Sequence, residues 1–461
     1  MSIILNTDSY KTSHFLQYPP NTTRVSSYIE SRGGDFDEIV TFGLQAFIKA
    51  HLLTPITRLD IDEAAAICAA HGVPFNREGW ERILNKHGGY LPLEIEGLPE
   101  GSIVEPGTMQ VQVVNTDPEL PWLTSYIETA LLRAIWYPST VASLSRRAKQ
   151  FINQALIMTA DDPAAEIGFK LHDFGARGAT SEESAVLGGM AHLVNFLGTD
   201  TLSGVVGARR YYNADMAGFS IPASEHSTMT SWGREGEVDA YRNMLLANPT
   251  GLVACVSDSY DIFNAVSNIW GDKLKPLIER RDGTLVVRPD SGDPTLMPVQ
   301  VIERLMDKFG YETNTKGYKV LPPYIRVIQG DGMNIDTIPR LLTNLADRGI
   351  SASNIAMGMG GGLLQKVDRD TCKYAMKANA AEVDGEWRDV FKDPITDQGK
   401  KSKAGILAVV RDADRNAFRT MRKADVFRHL DPRCNRMQKV YRNGELLVDD
   451  TFDAIRERAA V

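Results

Sequence analysis

The feature of this sequence that most constrains its fold is an alternation repeated through its middle part. Between residues 167 and 378, short apolar runs end in polar or glycine-rich loops, and most of them lead into segments with helical periodicity. This order is typical of parallel strands joined by helices, and it favours a (β/α) barrel of the α/β class over an open doubly wound sheet. The eight runs are Ile167–Leu171, Leu193–Leu197, Gly218–Ala223, Leu252–Val256, Leu285–Val287, Tyr324–Ile328, Ile355–Met357 and Tyr374–Ala378.

The two ends of the chain have a different character from this middle part. Residues 1–150 mix strand-like and helical segments, and residues 380–461 combine strand-like stretches with the basic run Lys400-Lys401-Ser402-Lys403. We therefore expect residues 151–379 to form the barrel catalytic domain. Residues 1–150 and 380–461 should pack together as one additional mixed α+β domain.

Composition and charge exclude several classes of protein. The 461 residues are 43% hydrophobic and 24% charged, and no run of about 18 apolar residues occurs, so no membrane-spanning helix is expected. A net charge of −8 argues against binding nucleic acid through bulk charge. The four scattered cysteines form no C-x-x-C pair, and the N-terminal residues lack the pattern of a signal peptide. Both observations predict a cytoplasmic protein.

Two motifs that follow strand-like runs suggest binding of phosphate and sugar. Gly358-Met-Gly-Gly-Gly362 can offer bare backbone N–H groups to a phosphate, although it matches neither the dinucleotide fingerprint nor the P-loop and is otherwise a tight turn. Arg288-Pro-Asp-Ser-Gly292 places a cation two residues before a carboxylate. Arginine suits an anionic oxygen, and aspartate suits a sugar diol or a magnesium-bound oxygen, with a surface turn as the alternative.

Further polar residues lie at the ends of other runs. Asp331 stands between two glycines, and Asp258 is either a site acid or a helix N-cap. His226, beside Glu225, is either catalytic or structural. Phe174 and Arg177 are close enough in sequence to hold a planar ring and an anionic group together, or to belong to the core.

These motifs occur together, in the same order, in one known family. From residue 6 to residue 403 the sequence resembles the nicotinamide phosphoribosyltransferases. The blocks that carry the resemblance are Asn6–His14, Gln17–Pro20, Tyr28–Arg32, Phe42–Gln45, His172–Gly178, Gly198–Asp200, Pro222–Thr228, Ser257–Asp261, Arg288–Gly292, Gln329–Gly332, Gly360–Lys366, Arg369-Asp370, Phe391–Pro394 and Lys400–Lys403.

The resemblance implies a type II phosphoribosyltransferase barrel. Members of the family transfer phosphoribosyl from phosphoribosyl pyrophosphate to nicotinamide, giving nicotinamide mononucleotide and pyrophosphate in NAD salvage. They require Mg²⁺ and use ATP as a co-substrate through a phosphohistidine. They are homodimers whose active sites are shared between subunits, with no nucleic-acid or membrane partner.

The resemblance also implies a role for individual residues. His226 would be the phosphohistidine and would hold pyrophosphate together with Arg177 and Arg288. Independently of the resemblance, we expect the neighbouring acid Glu225 to orient the His226 ring or favour its basic form. Asp290, Gly330 and Asp331 would hold the ribose hydroxyls, and Gly360, Gly361 and Arg369 the 5′-phosphate. Asp258 would lie near the magnesium-bound phosphates as the metal-site residue. Asp200 would accept a hydrogen bond from the carboxamide, Phe174 would face the pyridine ring, and the partner's site would receive Tyr10, Arg32, Lys377, Lys392 and Lys400.

Three alternatives remain open from the sequence. One is a nicotinate-specific phosphoribosyltransferase with the same barrel, which Asp200 would distinguish. Another is a catalytically idle barrel that binds or signals. The third is an aldolase-like barrel with a Schiff-base lysine, for which Lys170 and Lys377 are the candidates.

Overall fold

The computed structural model describes residues 2–396, 401–412 and 417–460, and they form two compact units. Unit 1 comprises Met1–Ser143, Ala208–Ala214 and Asp368–Ala460, and unit 2 comprises Leu144–Gly207 and Asp215–Val367. The two ends of the chain thus share unit 1. The sequence places the corresponding boundaries at residues 150 and 379.

Unit 1 is built on a seven-stranded antiparallel sheet in the order β15-β14-β1-β5-β3-β18-β19. Its strands are β1 (Thr22–Glu30), β3 (Leu93–Gly97), β5 (Met109–Asn115), β14 (Ala375–Val383), β15 (Glu386–Asp389), β18 (Gln438–Arg442) and β19 (Glu445–Leu446). Two small antiparallel pairs accompany it, β2 (Ile39–Val40) with β4 (Ile103–Val104), and β16 (Leu407–Asp412) with β17 (Ala417–Arg422).

One helix of unit 1 has ordinary capping signals at both of its ends. In α2 (Arg58–His71), the Thr57 hydroxyl accepts the N–H of Asp60 and the Asp60 carboxylate accepts the N–H of Thr57, and the helix ends at Gly72 with φ +82°. The others are α1 (Leu44–Phe47) with a π-helical extension (Ile48–Leu52), α3 (Arg77–Lys86), α4 (Leu123–Tyr126), α16 (Lys423–His429), α17 (Phe452–Arg458) and short 3₁₀ turns at Ile3–Leu5, Ser9–Leu16 and Pro432–Cys434. Helices α5 (Glu128–Thr159) and α8 (Leu202–Tyr212) contribute residues to both units.

Unit 2 contains the parallel sheet expected from the alternation of strands and helices. Its six strands run in the order β7-β6-β13-β12-β9-β8. They are β6 (Leu171–Asp173), β7 (Gly198–Thr199), β8 (Thr250–Val256), β9 (Asp282–Arg288), β12 (Ile325–Gln329) and β13 (Ile355–Met359), with a separate small hairpin of β10 (Glu312–Thr313) and β11 (Lys319–Val320).

The segment 219–223 closes this sheet into a ring. Phe219 forms a parallel bridge with Gly198 of β7, and Ala223 forms one with Ala254 of β8. The N–H of Thr199 donates to the Phe219 carbonyl at 2.9 Å, and the N–H of Ala254 donates to the Pro222 carbonyl at 2.9 Å. Both edges of the sheet are therefore joined through one segment, as a barrel requires.

Helices alternate with the strands around the ring. In α13 (Met297–Phe309) the apolar residues Val299, Ile302 and Leu305 are buried, following the helical period. The remaining helices of unit 2 are α6 (Pro163–Glu166), α7 (Glu182–Leu193), α9 (His226–Thr230), α10 (Glu237–Ala247), α11 (Ile262–Asn264) with a π-helical extension (Ala265–Lys273), α12 (Lys275–Arg280), α14 (Thr337–Ala346), α15 (Gly361–Leu364) and 3₁₀ turns at Ile167–Phe169, Ala176–Gly178, Arg234–Gly236 and Ala352–Asn354.

The structure corrects the number of barrel strands. The eighth apolar run, Tyr374–Ala378, lies in β14, which pairs antiparallel with β1 in unit 1, so the ring has six strands and one bridging segment. An apolar run reveals burial but not the direction of the neighbouring strand, which explains the error. The run Leu193–Leu197 is the end of α7 and its turn, and the strand starts only at Gly198.

Candidate active site

The Phe174 ring lies on the backbone of two parallel strands. The backbone N–H of Phe174 donates to the Met359 carbonyl at 3.0 Å. A Cβ on Gly358 would stand 2.0 Å from Phe174 Cε2, and one on Gly330 would stand 3.3 Å from it. The missing side chains thus let the ring lie flat against β13 and the end of β12. A glycine inside a strand often marks such a close approach.

Phe174 lines a cavity of about 570 Å³ within the ring of strands. The apolar part of the wall comes from alternate strand residues such as Ala254, Val286 and Ile328, which form one buried cluster. Charged and polar side chains also line it, namely Glu166, Lys170, His172, Asp200, Ser220, Arg288, Arg326 and Ser353. An apolar cavity with a few polar groups is the usual form of a small-molecule site.

Asp200 is fixed at the end of β7, on the cavity wall. Its N–H donates to the Asp173 carbonyl at 2.9 Å, and its Oδ1 accepts the Ser220 hydroxyl at 2.5 Å. Ser220 belongs to the segment that closes the ring, and the sequence does not single it out. The sequence indicates a role for Ser220 only through its position, because its hydroxyl lies just before the motif Pro222–Thr228 at the end of a strand-like run.

A second cluster joins the ends of β8 and β9. His226 Nε2 lies 2.9 Å from Asp258 Oδ1, and Asp258 Oδ2 accepts the N–H of Asp290 at 3.0 Å and the Ser291 hydroxyl at 2.5 Å. Arg288 Nη2 lies 3.4 Å from Asp290 Oδ2. The cation, the imidazole and the carboxylates predicted from separate motifs are thus one contiguous group.

The partner of the His226 ring differs from the one we expected. Glu225 caps α9 and accepts the Ser227 hydroxyl, whereas Asp258 contacts the imidazole. The structure also shows whether Asp258 is a site acid or a helix N-cap. Asp261 is the helix N-cap, accepting the N–H groups of Phe263 at 2.9 Å and Asn264 at 3.0 Å, which leaves Asp258 for the cluster.

Burial raises the pKa of Asp290, and several charges act on it as well. The carboxylates of Asp258 and Asp331 add to the rise in pKa, while Arg288 and His226 oppose it. Asp331 therefore lies within electrostatic range of this cluster. Among the described residues, no group of three or more His, Cys, Asp or Glu side chains has the geometry of a metal site.

The glycine-rich loop lies beside the turn that carries Arg177. Gly361 begins α15 and has open space where a Cβ would stand. A Cβ on Gly178 would be 3.4 Å from the Gly361 Cα, so the Ala176–Gly178 turn and this loop are neighbours. Arg177 is exposed, and so its guanidinium is available to an anion bound at the loop.

Basic residues predicted for the partner's site cluster within unit 1. Burial lowers the pKa of Lys377, Glu128 opposes that shift, and the charges of Arg32, Lys392 and Arg369 add to it. Arg32 Nη2 is buried with no hydrogen-bond partner among the described residues. Tyr10, in the same unit, is 61% exposed, and Lys400 lies outside the described residues.

Neither lysine considered for a Schiff base stands at the carboxyl ends of the parallel strands. Lys170 precedes β6, and its Nζ donates to the carbonyls of Ala352, Ser353 and Ile355 at 3.1–3.2 Å and pairs with Glu166 at 2.8 Å. Lys377 lies in the antiparallel sheet of unit 1. The geometry therefore gives the aldolase-like alternative no support.

Comparison with known proteins identifies the family. The model of the nicotinate phosphoribosyltransferase (NAPRTase) family matches residues 169–445, and that of the nicotinamide phosphoribosyltransferase N-terminal domain matches residues 2–95. A nicotinamide phosphoribosyltransferase of Xanthomonas campestris pv. campestris is 50% identical over 460 residues, covering 99% of this chain and 98% of the relative. This chain belongs to the nicotinamide phosphoribosyltransferase family. It is thus an enzyme of the pentosyltransferase class, and the resemblance seen in the sequence is confirmed.

Other relatives agree with this assignment. A nicotinamide phosphoribosyltransferase of Acinetobacter baylyi is 33% identical, with 98% of this chain and 96% of the relative covered. Nicotinate-nucleotide pyrophosphorylase from Pyrococcus furiosus superposes with a TM-score of 0.61 at 17% identity, covering 99% of this chain and 94% of that one. Human nicotinic acid phosphoribosyltransferase gives 0.56 at 17% identity, covering 98% and 92%. The type II phosphoribosyltransferase fold is thereby confirmed. Within the described residues, no helix is long and apolar enough to cross a membrane.

Proposed function

We propose that this phosphoribosyltransferase acts on nicotinamide in NAD salvage, with phosphoribosyl pyrophosphate as donor and nicotinamide mononucleotide and pyrophosphate as products. The observation that carries the proposal is that the Asp200 carboxylate lines the same cavity as Phe174. A carboxylate accepts a hydrogen bond from a carboxamide N–H and repels the carboxylate of nicotinate. The names of the relatives at 50% and 33% identity support the same acceptor.

The pyridine ring would bind against Phe174. Its nitrogen gains positive charge as it bonds to the ribose carbon, and the face of an aromatic ring attracts that charge by about 0.5–2 kcal/mol. The attraction is stronger in the transition state than with neutral nicotinamide, so it accelerates transfer as well as binding. Tyr10 of a partner subunit would cover the opposite face of the pyridine in a homodimer.

The donor would lie along the His226–Asp258–Asp290 cluster. Arg177, Arg288 and His226 would hold pyrophosphate, whose negative charge grows as it leaves. Asp290, Gly330 and Asp331 would hold the ribose hydroxyls, where a carboxylate stabilises the oxocarbenium-like ring. Gly360, Gly361 and Arg369 would hold the 5′-phosphate, and Arg32, Lys377 and Lys392 would act in the partner's site.

The same cluster suits magnesium shared with phosphates. Both oxygens of Asp258 already accept hydrogen bonds, and the described residues include no group of three or more metal-holding side chains, so magnesium would be held chiefly by the substrate phosphates, with Asp258 near them. Mg²⁺ commonly binds through one or two carboxylates together with substrate phosphates. When bound, it would neutralise part of the pyrophosphate charge.

We also propose that ATP drives transfer through phosphorylation of His226. Nε2, which lies 2.9 Å from Asp258 Oδ1, would donate its proton to that carboxylate, and Nδ1, which lies 3.8 Å from Asp290 Oδ2, would supply the lone pair. Attack of Nδ1 on the γ-phosphorus of ATP forms the N–P bond and releases ADP. Water later cleaves that bond to give phosphate.

One assay tests the proposed function. Purified enzyme is incubated with phosphoribosyl pyrophosphate and Mg²⁺, with nicotinamide or nicotinate as acceptor, each with and without ATP, and the nucleotide products are separated by chromatography. We expect nicotinamide mononucleotide to form, faster with ATP, and nicotinate to react poorly. Preferential use of nicotinate would instead support the alternative of a nicotinate phosphoribosyltransferase.

A further inference from the structure

Ser220 and Asp200 form a hydrogen-bonded pair on the cavity wall. The Ser220 Oγ lies 2.5 Å from Asp200 Oδ1, and both side chains line the cavity beside Phe174. The backbone around Ser220 is held to β7, because Phe219 exchanges hydrogen bonds with Thr199 at 2.9 Å and Leu197 at 2.7 Å. The geometry of the pair is therefore set by the closure of the barrel.

The pair presents only hydrogen-bond acceptors to the cavity. A serine hydroxyl has a single proton, and here that proton is donated to the Asp200 carboxylate, so the Ser220 oxygen turns lone pairs to the cavity. His172 lines the same cavity, and its Nε2–H donates to the Phe169 carbonyl at 3.1 Å. Burial lowers the pKa of the His172 ring. The remaining ring nitrogen, Nδ1, lies beside Gly198, where a Cβ would stand 2.6 Å from it.

A carboxamide matches this wall, and a carboxylate does not. The amide nitrogen carries two N–H donors that point in different directions, so the free oxygen of Asp200 would accept one of them and a second acceptor is needed for the other. We infer that Ser220 is a specificity-determining residue, which holds Asp200 in place and accepts the second N–H of nicotinamide. Nicotinate, with acceptors alone, would face acceptors on this wall. The inference rests on the proposed function and extends it from one residue to a pair.

The test is the ratio of kcat/KM for nicotinamide to that for nicotinate. Ser220→Ala removes both the hydrogen bond that holds Asp200 in place and the second acceptor, so the ratio should fall about 10-fold. Ser220→Thr retains the hydroxyl and should retain the ratio. Ser353→Ala is the matched control, because Ser353 lines the same cavity and donates to Glu166 at 2.8 Å, away from Asp200. It should leave the ratio unchanged.

The Asp200→Ala background gives a prediction of opposite sign. Without the carboxylate, the Ser220 proton is free to be donated to nicotinate, so Ser220→Ala should now reduce nicotinate use. A purely structural role of Ser220 would not produce this reversal. Circular dichroism and thermal unfolding establish that each variant is folded.

The outcomes separate this inference from the proposed function. If wild type prefers nicotinamide and Ser220→Ala keeps that preference in full, the inference is wrong and the proposed function stands. Failure of Ser220→Thr to retain the ratio overturns it equally. If wild type makes no nicotinamide mononucleotide from nicotinamide, the proposed function fails and the inference falls with it.

Discussion

Replacing Gly358 by alanine should displace the Phe174 ring from its place on β13. A Cβ at this position would stand 2.0 Å from Cε2 and 2.2 Å from Cδ2, whereas ordinary contacts begin at 3.4 Å. The ring must therefore move by roughly 1.4 Å, the difference between those distances. Because the ring lies against the backbone of β13 on one side and lines the cavity on the other, Phe174 should move into the cavity.

The displacement should weaken both stability and catalysis. Crowding a packed core typically costs about 1–3 kcal/mol of unfolding free energy. Loss of the aromatic face under the pyridine removes about 0.5–2 kcal/mol of transition-state stabilisation, which corresponds to a fall in kcat/KM for nicotinamide of about 2- to 30-fold. Steady-state kinetics with nicotinamide varied and chemical denaturation measure the two effects separately.

A double-mutant cycle shows whether Gly358→Ala acts through Phe174. In a Phe174→Ala background the ring is absent, so the added methyl should have little further effect on kcat/KM. Gly207→Ala is the matched control. Its Cβ would stand 2.7 Å from Val186 Cγ1, between helices and outside the cavity lining, so it should cost stability without changing KM. Full additivity of the two changes in the cycle, or unchanged kinetics in Gly358→Ala, would refute the reasoning.

Three further predictions concern other parts of the site. Burial raises the pKa of Asp173 to about 6, so ionisation of this carboxyl opposes folding. Relative to Asp173→Asn, wild type should lose about 3 kcal/mol of unfolding free energy as the pH rises from 3.8 through 6. Urea denaturation at a series of pH values measures this loss, and parallel pH profiles of the two proteins would contradict it. His226→Ala should abolish acid-labile phosphoenzyme and the ATP stimulation and lower basal transfer, and retained label from γ-labelled ATP would count against the phosphohistidine. The variants Tyr10→Ala and Asp290→Ala should each be nearly inactive alone. Refolded together, they should recover about a quarter of wild-type activity, because half of the dimers are mixed and one of the two sites in each mixed dimer is intact. Heterodimers without activity would show that each site comes from one chain.

Much of the site was predictable because its residues follow strand ends. Asp290, His226 and Asp258 belong to different motifs, and the carboxyl ends of parallel strands bring such motifs to one edge of a barrel. The parallel sheet itself followed from the alternation of apolar runs and helices. What failed was the run at Tyr374–Ala378, whose composition fits an antiparallel strand as well as a parallel one.

The contacts between side chains were less accessible from the sequence. Glu225 is adjacent to His226 in the chain, yet Asp258, in the loop after β8, contacts the ring. Ser220 is one serine among many until the closure of the ring places it against Asp200. Such pairings depend on register and rotamer, which single-sequence patterns do not specify.

A competition assay tests the central claim most directly, namely that Asp200 makes this enzyme select nicotinamide. Equal concentrations of nicotinamide and nicotinate compete for limiting phosphoribosyl pyrophosphate, and the ratio of the two mononucleotides gives the ratio of kcat/KM. Wild type should yield almost only nicotinamide mononucleotide, while Asp200→Ala and Asp200→Ser should yield a substantial share of nicotinate mononucleotide. A product ratio unchanged by these substitutions, or wild type favouring nicotinate, would contradict the claim.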